Sequence, residues 1–226
     1  MNVKLVLILF ASYSSQHLDE FKIIRYNNLL RIAQNTVKGT DKMKDFIDQM
    51  LKFNKTFVEE GKYKEFMTTK YPDKKVAIIS CMDTRLTALL PAALDLKNGD
   101  AKMIKNAGGV ISHPFGSVMR SLMVAVYELG VTHILVIGHT DCGMRGLNPA
   151  EIEAEMIKRG ISEDTLNMIK NCGIDIDGWL RGFDDETESV ISTVNVIKEH
   201  PLIPDDVTVY GYIMDSTTGE MKEVIK

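Results

Sequence analysis

The sequence predicts an α/β fold, a mostly parallel central β-sheet flanked by helices. Three observations carry this. Short, nearly uninterrupted apolar runs recur at residues 76–80 and 133–138, the pattern of strands buried on both faces. Segments of helical periodicity lie between and after them. Polar, glycine-containing loops follow the strands, and the carboxyl ends of strands are where sheets of this kind bind ligands.

The elements follow in order. Tyr71-Pro72-Asp73 marks a turn, and Val76-Ala77-Ile78-Ile79-Ser80 is the first strand. Ala101 to Lys105 is a second, weaker strand that ends in Asn106-Ala107-Gly108-Gly109. Pro114 to Leu129 reads as a helix: proline opens it, Val118, Leu122 and Val126 recur in i,i+4 steps, and Gly130 stops it. His133 to Gly138 is the third strand. Pro149 to Arg159 and Glu163 to Asn171 read as short helices, and Asp184 to Glu199 as a longer one stopped by Pro201. Val207 to Met214 is a late strand, Asp215 to Gly219 a hairpin turn, and Met221 to Ile225 a returning strand. Strands alternating with helices make βαβ units.

Upstream of these, Met43 begins an amphipathic helix whose Phe46, Met50, Leu51 and Phe57 recur at roughly helical spacing. The working domain is therefore expected over 43–226, with 1–42 as an N-terminal extension. The apolar run Leu5 to Ala11 behind a single lysine has the minimum length of a signal-peptide core. A strand, a partner-binding arm and a start codon assigned too early are the other readings of that segment.

Composition narrows the function. The chain has 226 residues, with 27 Lys and Arg against 31 Asp and Glu, a net charge of −4. That gives no global electrostatic reason to expect nucleic-acid binding. No apolar run reaches the roughly 18 residues of a transmembrane helix. Three cysteines, Cys81, Cys142 and Cys172, do not make a disulfide framework. They fit a reducing, cytoplasmic setting in which thiols are kept for metal binding or catalysis.

The unusual residues sit where two strands end. The first strand runs into Ser80-Cys81-Met82-Asp83-Thr84-Arg85 and the third into Gly138-His139-Thr140-Asp141-Cys142-Gly143. If these strands are neighbours, Cys81, His139 and Cys142 converge at one sheet edge. Two thiolates and an imidazole suit zinc, and three protein ligands leave a fourth position open, as in catalytic zinc sites. Gly138 and Gly143 permit close backbone approach around the loop. Asp83 and Arg85 are two apart, so in an extended segment they share a face with Cys81. Such a pair keeps the carboxylate ionised and oriented, able to accept a hydrogen bond from water activated at the metal. It also reads as a structural ion pair, and Asp83 as a fourth metal ligand that closes the site.

Cys81-Met82-Asp83-Thr84-Arg85, Asn106-Ala107-Gly108-Gly109 and Gly138-His139-Thr140-Asp141-Cys142-Gly143-Met144, in this order and at these separations, resemble the β-class carbonic anhydrases, most of all their small bacterial and archaeal branch. The resemblance extends from about Met43 to the C-terminus. It implies an α/β sheet built as a homodimer or larger, with the N-terminal helix embracing the partner subunit. It implies one Zn2+ per chain on Cys81, His139 and Cys142, with Asp83 and Arg85 as the catalytic dyad. Asn106, Ala107, Gly108 and Gly109 would form the pocket wall. The implied reaction is reversible hydration of carbon dioxide to bicarbonate and a proton, by zinc-bound hydroxide that Asp83 orients.

The glutamine and aromatic pocket residues of the plant-type enzymes find no match, nor does the Trp, Arg and Tyr set of the allosteric bicarbonate site. Trp179 is the only tryptophan and lies far along the chain. His113 is a candidate proton shuttle, though a residue leading into the helix before Pro114 is the plainer reading. Cys172 reads as structural or incidental, and His17, His133 and His200 carry no comparable signal. Alternatives are a hydrolase of carbon disulfide or carbonyl sulfide on the same fold, and a zinc-binding module without catalysis, against which Asp83 and Arg85 argue. A nucleotide-binding domain using Gly108 and Gly109 is disfavoured, because no G-x-G-x-x-G follows a strand.

Overall fold

The computed structural model describes residues 43–226, so the alternative readings of 1–42 and the expectation for His17 lie outside the described residues. The described residues divide into two units, one ending at Glu65 and the other spanning Phe66–Lys226. In the first, residues 43–59 form helix α1. Met43, Phe46, Ile47, Met50, Leu51 and Phe53 are all exposed on it.

The second unit is a five-stranded sheet in the order β2-β1-β3-β4-β5. The strands are β1 (Val76–Cys81), β2 (Ala101–Asn106), β3 (His133–His139), β4 (Thr208–Met214) and β5 (Met221–Ile225). The first four run parallel and β5 returns antiparallel to β4. All six residues of β1 are buried, as its unbroken apolar run requires. Ala77 and Ile79 point into a cluster with Met119, Leu122, Ile134, Val136, Val194 and Ile197. Val76 and Ile78 point the other way, to Leu86, Leu90, Ile137 and Met214. Each such fully buried aliphatic side chain contributes roughly 1.5–3 kcal/mol.

The helices are α2 (Leu86–Ala93), α3 (Ser117–Tyr127), α4 (Pro149–Lys158), α5 (Glu163–Asn171), α6 (Ile176–Leu180) and α7 (Glu186–Lys198). Residues of α3 and α7 build the first cluster and residues of α2 the second, so helices cover both faces of the sheet. The helix expected from Pro114 begins three residues later. Gly116 is extended at φ −80°, ψ 179° as its N-cap, and its N–H bonds the His113 carbonyl at 3.0 Å. Pro114 and Phe115 are therefore spent on a turn. Helix α7 starts at Glu186 because the Asp185 carboxylate caps it, accepting from the Glu188 N–H at 2.9 Å.

Two helices lack a sequence signal. Helix α2 contains Pro91, which ordinarily argues against a helix. Here proline stands two residues before the last, and burial of Leu86 and Leu90, both 0% exposed, outweighs the one lost backbone bond. Helix α6 is only five residues long, too short for a period to show.

Candidate metal centre

The parallel pairing of β1 with β3, Ser80 opposite Ile137, brings the two strand ends side by side. Cys81 closes β1, His139 closes β3, and Cys142 lies one tight turn further on. The ligand atoms of Cys81, His139 and Cys142 all lie within 4.8 Å of one another, and all three residues are buried. The two sulfurs are 3.8 Å apart.

The electrostatics favour a cation among them. His139 Nδ1 lies 2.9 Å from the Thr140 carbonyl. Its Nδ1–H is thus the donor, and the lone pair stands on Nε2. That Nε2 is buried without a hydrogen-bond partner, an orphaned acceptor that a metal ion would satisfy. Burial opposes charge on this ring, yet the Cys81 sulfur and the Thr140 carbonyl raise its affinity for a proton. Burial also opposes ionisation of Cys81, but the His139 ring and the backbone N–H groups of Asp83 and Gly108 outweigh it and lower the thiol to about 7. Burial, with a Cys81 thiolate alongside, pushes Cys142 up to about 11. Two thiolates here repel each other until a divalent cation joins them, so the donor set fits a metal of the zinc kind.

Asp83 and Arg85 meet, though not as residues on one face of an extended strand. Arg85 already has helical torsions, φ −60° and ψ −34°, as the N-cap of α2. The chain bends at Asp83, whose Oδ1 accepts the Arg85 backbone N–H at 2.9 Å. The side chains then pair in a fork, Nε to Oδ1 at 3.0 Å and Nη2 to Oδ2 at 2.8 Å. Arg85 thereby lowers the Asp83 carboxyl to about 2. Asp83 Oδ2 stands 4.0 Å from His139 Nε2, so the carboxylate faces the ligand cluster.

Asn106, which ends β2, and the three residues after it have separate places. Asn106 and Ala107 line a cavity of about 1160 Å3, together with His113, Met144, Trp179 and Phe183 among others. Asn106 also pins the loop, its amide bonding both the carbonyl and the N–H of Val110. Gly108 and Gly109 are buried at φ +80° and +66°. A Cβ on Gly109 would lie 3.0 Å from the Cys81 nitrogen, so only glycine lets this loop close on β1.

His113 lines the cavity, while its Nδ1 accepts the Phe115 N–H at 3.0 Å. Cys172 is exposed. His200 is buried at 5% exposure and bonds the Pro114 carbonyl at 3.0 Å. Sequence reasoning passed over two residues that touch the site. Lys105 donates to the Cys81 carbonyl at 3.1 Å, and Asp141 binds Arg85. The position of Asp141 between two ligands was its only signal.

A family model described as carbonic anhydrase matches residues 76–221. The chain is 49% identical to "Putative carbonic anhydrase YvdA" of Bacillus subtilis (strain 168), over 79% of this chain and 91% of that protein. It is 29% identical to a carbon disulfide hydrolase of Acidithiobacillus thiooxidans, over 63% of this chain and 69% of that one. Among solved structures, a β-carbonic anhydrase of Trichomonas vaginalis superposes with a TM-score of 0.73 at 31% identity, covering 80% of this chain and 97% of the other.

Proposed function

This chain belongs to the β-carbonic anhydrase family, and on that premise we propose that it is a zinc lyase catalysing the reversible hydration of carbon dioxide to bicarbonate and a proton. The observation that carries the proposal is the buried Cys81, His139 and Cys142 cluster with an ionised Asp83 facing it, 4.0 Å from His139 Nε2.

Cys81, His139 and Cys142 would hold one Zn2+ per chain. When bound, zinc supplies Lewis acidity that brings the ionisation of water toward neutral pH and so provides a nucleophile for carbon dioxide. The residues of the chain do the rest. Arg85 holds Asp83 by two parallel hydrogen bonds, fixing both position and charge. Asp83 Oδ2, with its carboxyl kept ionised down to about pH 2, accepts the hydrogen bond of the attacking water and aims it. Thr140 fixes the His139 tautomer through its carbonyl. Asn106 and Ala107, on the cavity wall, bound the substrate, with Gly108 and Gly109 closing the loop against β1.

Among the described residues no helix is long and apolar enough to cross a membrane. We assign the enzyme to the cytoplasm, where two metal-binding thiols stay reduced, and to a homodimer or larger assembly. The exposed Phe46, Met50 and Leu51 of α1 support the latter. The working domain is taken as 43–226. Similarity to a carbon disulfide hydrolase supports a second reading, hydrolysis of carbon disulfide or carbonyl sulfide at the same residues.

Stopped-flow hydration of carbon dioxide, with zinc determined on the same sample, tests the proposal. Zinc near one per chain with fast hydration supports it. Full zinc with turnover of carbon disulfide and none of carbon dioxide moves the assignment to the second reading. Zinc with neither activity leaves a binding module.

A further inference from the structure

Arg85 has two carboxylate partners. Its Nε and Nη2 grip Asp83, while Nη1 donates to Asp141 Oδ2 at 2.8 Å and Nη2 also donates to the Asp141 carbonyl at 2.8 Å. Four of the five N–H groups of the guanidinium are thereby used. Asp141 lies in the turn between His139 and Cys142 and adopts a left-handed backbone, φ +55°, a conformation in which aspartate is tolerated better than most residues. Its carbonyl and its carboxylate reach the same guanidinium.

The arrangement answers a mechanical need. The Arg85 side chain is 41% exposed, and an arginine so placed, gripped on one edge alone, keeps much of its rotational freedom. Asp83 must nevertheless be held to within about 0.5 Å to act on a reacting atom. A second grip on the adjacent edge, through Nη1 and the other Nη2–H, stops the fork from swinging. Because that grip comes from the turn bearing two of the metal ligands, it also ties the orientation of Asp83 to the position of the metal.

We propose that Asp141 is a positioning residue which, acting through Arg85, fixes the Asp83 carboxylate relative to the Cys81, His139 and Cys142 cluster. The exposed Asp141–Arg85 ion pair contributes little to stability; its effect is geometric. This role rests on the carbonic anhydrase reading for its kinetic consequence, but not for its structural one.

The test uses the zinc-loaded full chain and two variants. Asp141→Asn keeps the left-handed turn and removes the charge. Asp141→Gly keeps the turn and the carbonyl bond, and is free of backbone strain at φ +55°. The structural readout is solvent exchange of the Arg85 Nε–H signal in NMR, assigned by its loss in Arg85→Lys. Both variants are expected to retain zinc near one per chain and to exchange Arg85 Nε–H several-fold faster. They are expected to lower kcat for carbon dioxide hydration roughly tenfold, with KM little changed. In an Asp83→Ala background the Asp141 substitutions should have no further effect, because the group being positioned is gone. Unchanged Arg85 exchange overturns the proposal. So does loss of zinc, or a loss of rate that multiplies with that of Asp83→Ala. If the wild type hydrates no carbon dioxide, the family-based activity fails and the exchange measurement alone decides the role of Asp141.

Discussion

Asp83 Oδ2 and His139 Nε2 stand 4.0 Å apart, too far for a hydrogen bond and close enough to share one small molecule or ion. That separation places an ionised carboxylate beside the buried Cys81, His139 and Cys142 cluster.

Cys142→Ser should abolish stoichiometric zinc. The substitution replaces a soft thiolate by a hydroxyl that does not ionise at neutral pH. Zinc content after dialysis against a weak chelator reads this, and a variant that keeps one zinc per chain would remove Cys142 from the ligand set.

Asp83→Ala should keep zinc and lose hydration activity near neutral pH, by roughly a hundredfold or more. Initial rates from stopped-flow mixing, normalised to bound zinc, decide it. A wild-type rate would show that Asp83 is a structural ion-pair partner only, and loss of zinc would make it a fourth ligand.

The Asp83 carboxyl is lowered from an ordinary 3.8 to about 2, chiefly by hydrogen bonds from the Arg85 side chain and backbone. A lowered folded-state pKa stabilises the fold above the unfolded value, and that stabilisation is lost as pH falls through the folded one. The contribution of this pair should therefore be intact above pH ~4 and disappear toward pH ~2. Titration of the Asp83 carboxyl carbon by NMR in the metal-free chain checks this. A wild-type midpoint near 4 would contradict the geometry, and Arg85→Gln should raise the midpoint.

Gly109→Ala should destabilise the fold by about 1–3 kcal/mol and weaken zinc retention. The added Cβ lies 3.0 Å from the Cys81 nitrogen and 3.1 Å from the Ser80 carbonyl carbon, at φ +66°. These are backbone atoms of the ligand strand, so relief requires moving Cys81. Urea denaturation and zinc content on the same variant measure both effects, and unchanged values would show that the loop can withdraw.

Much of this was legible because it is local. The first and third strands could be read from sequence because both faces of each are buried, and an unbroken apolar run needs no knowledge of the partner strand. The candidate donors stood out only as a set, since a buried cysteine or a lone histidine has bland uses but two cysteines and a histidine at two strand ends match a metal site. The convergence of Cys81 with His139 and Cys142 was conditional on strand order, and the pairing of β1 with β3 met that condition. The link between Asp83 and Arg85 was anticipated for a different reason. Their two-residue spacing implies a shared face only in an extended segment, whereas the chain turns into α2 at Arg85 because Leu86 and Leu90 must reach the core.

The sequence by itself determined the α/β class, the buried strands and which residue types stand at the strand ends to hold a metal, because burial on two faces and donor chemistry are properties of short segments. Tertiary structure alone decided that helix α2 forms despite Pro91, that the Gly109 backbone packs on Cys81, and that Asp141 reaches Arg85. Each of these is a contact or a packing requirement across many residues of chain, whose energy depends on where the parallel sheet sets its strand ends, and no local pattern of residues encodes that placement.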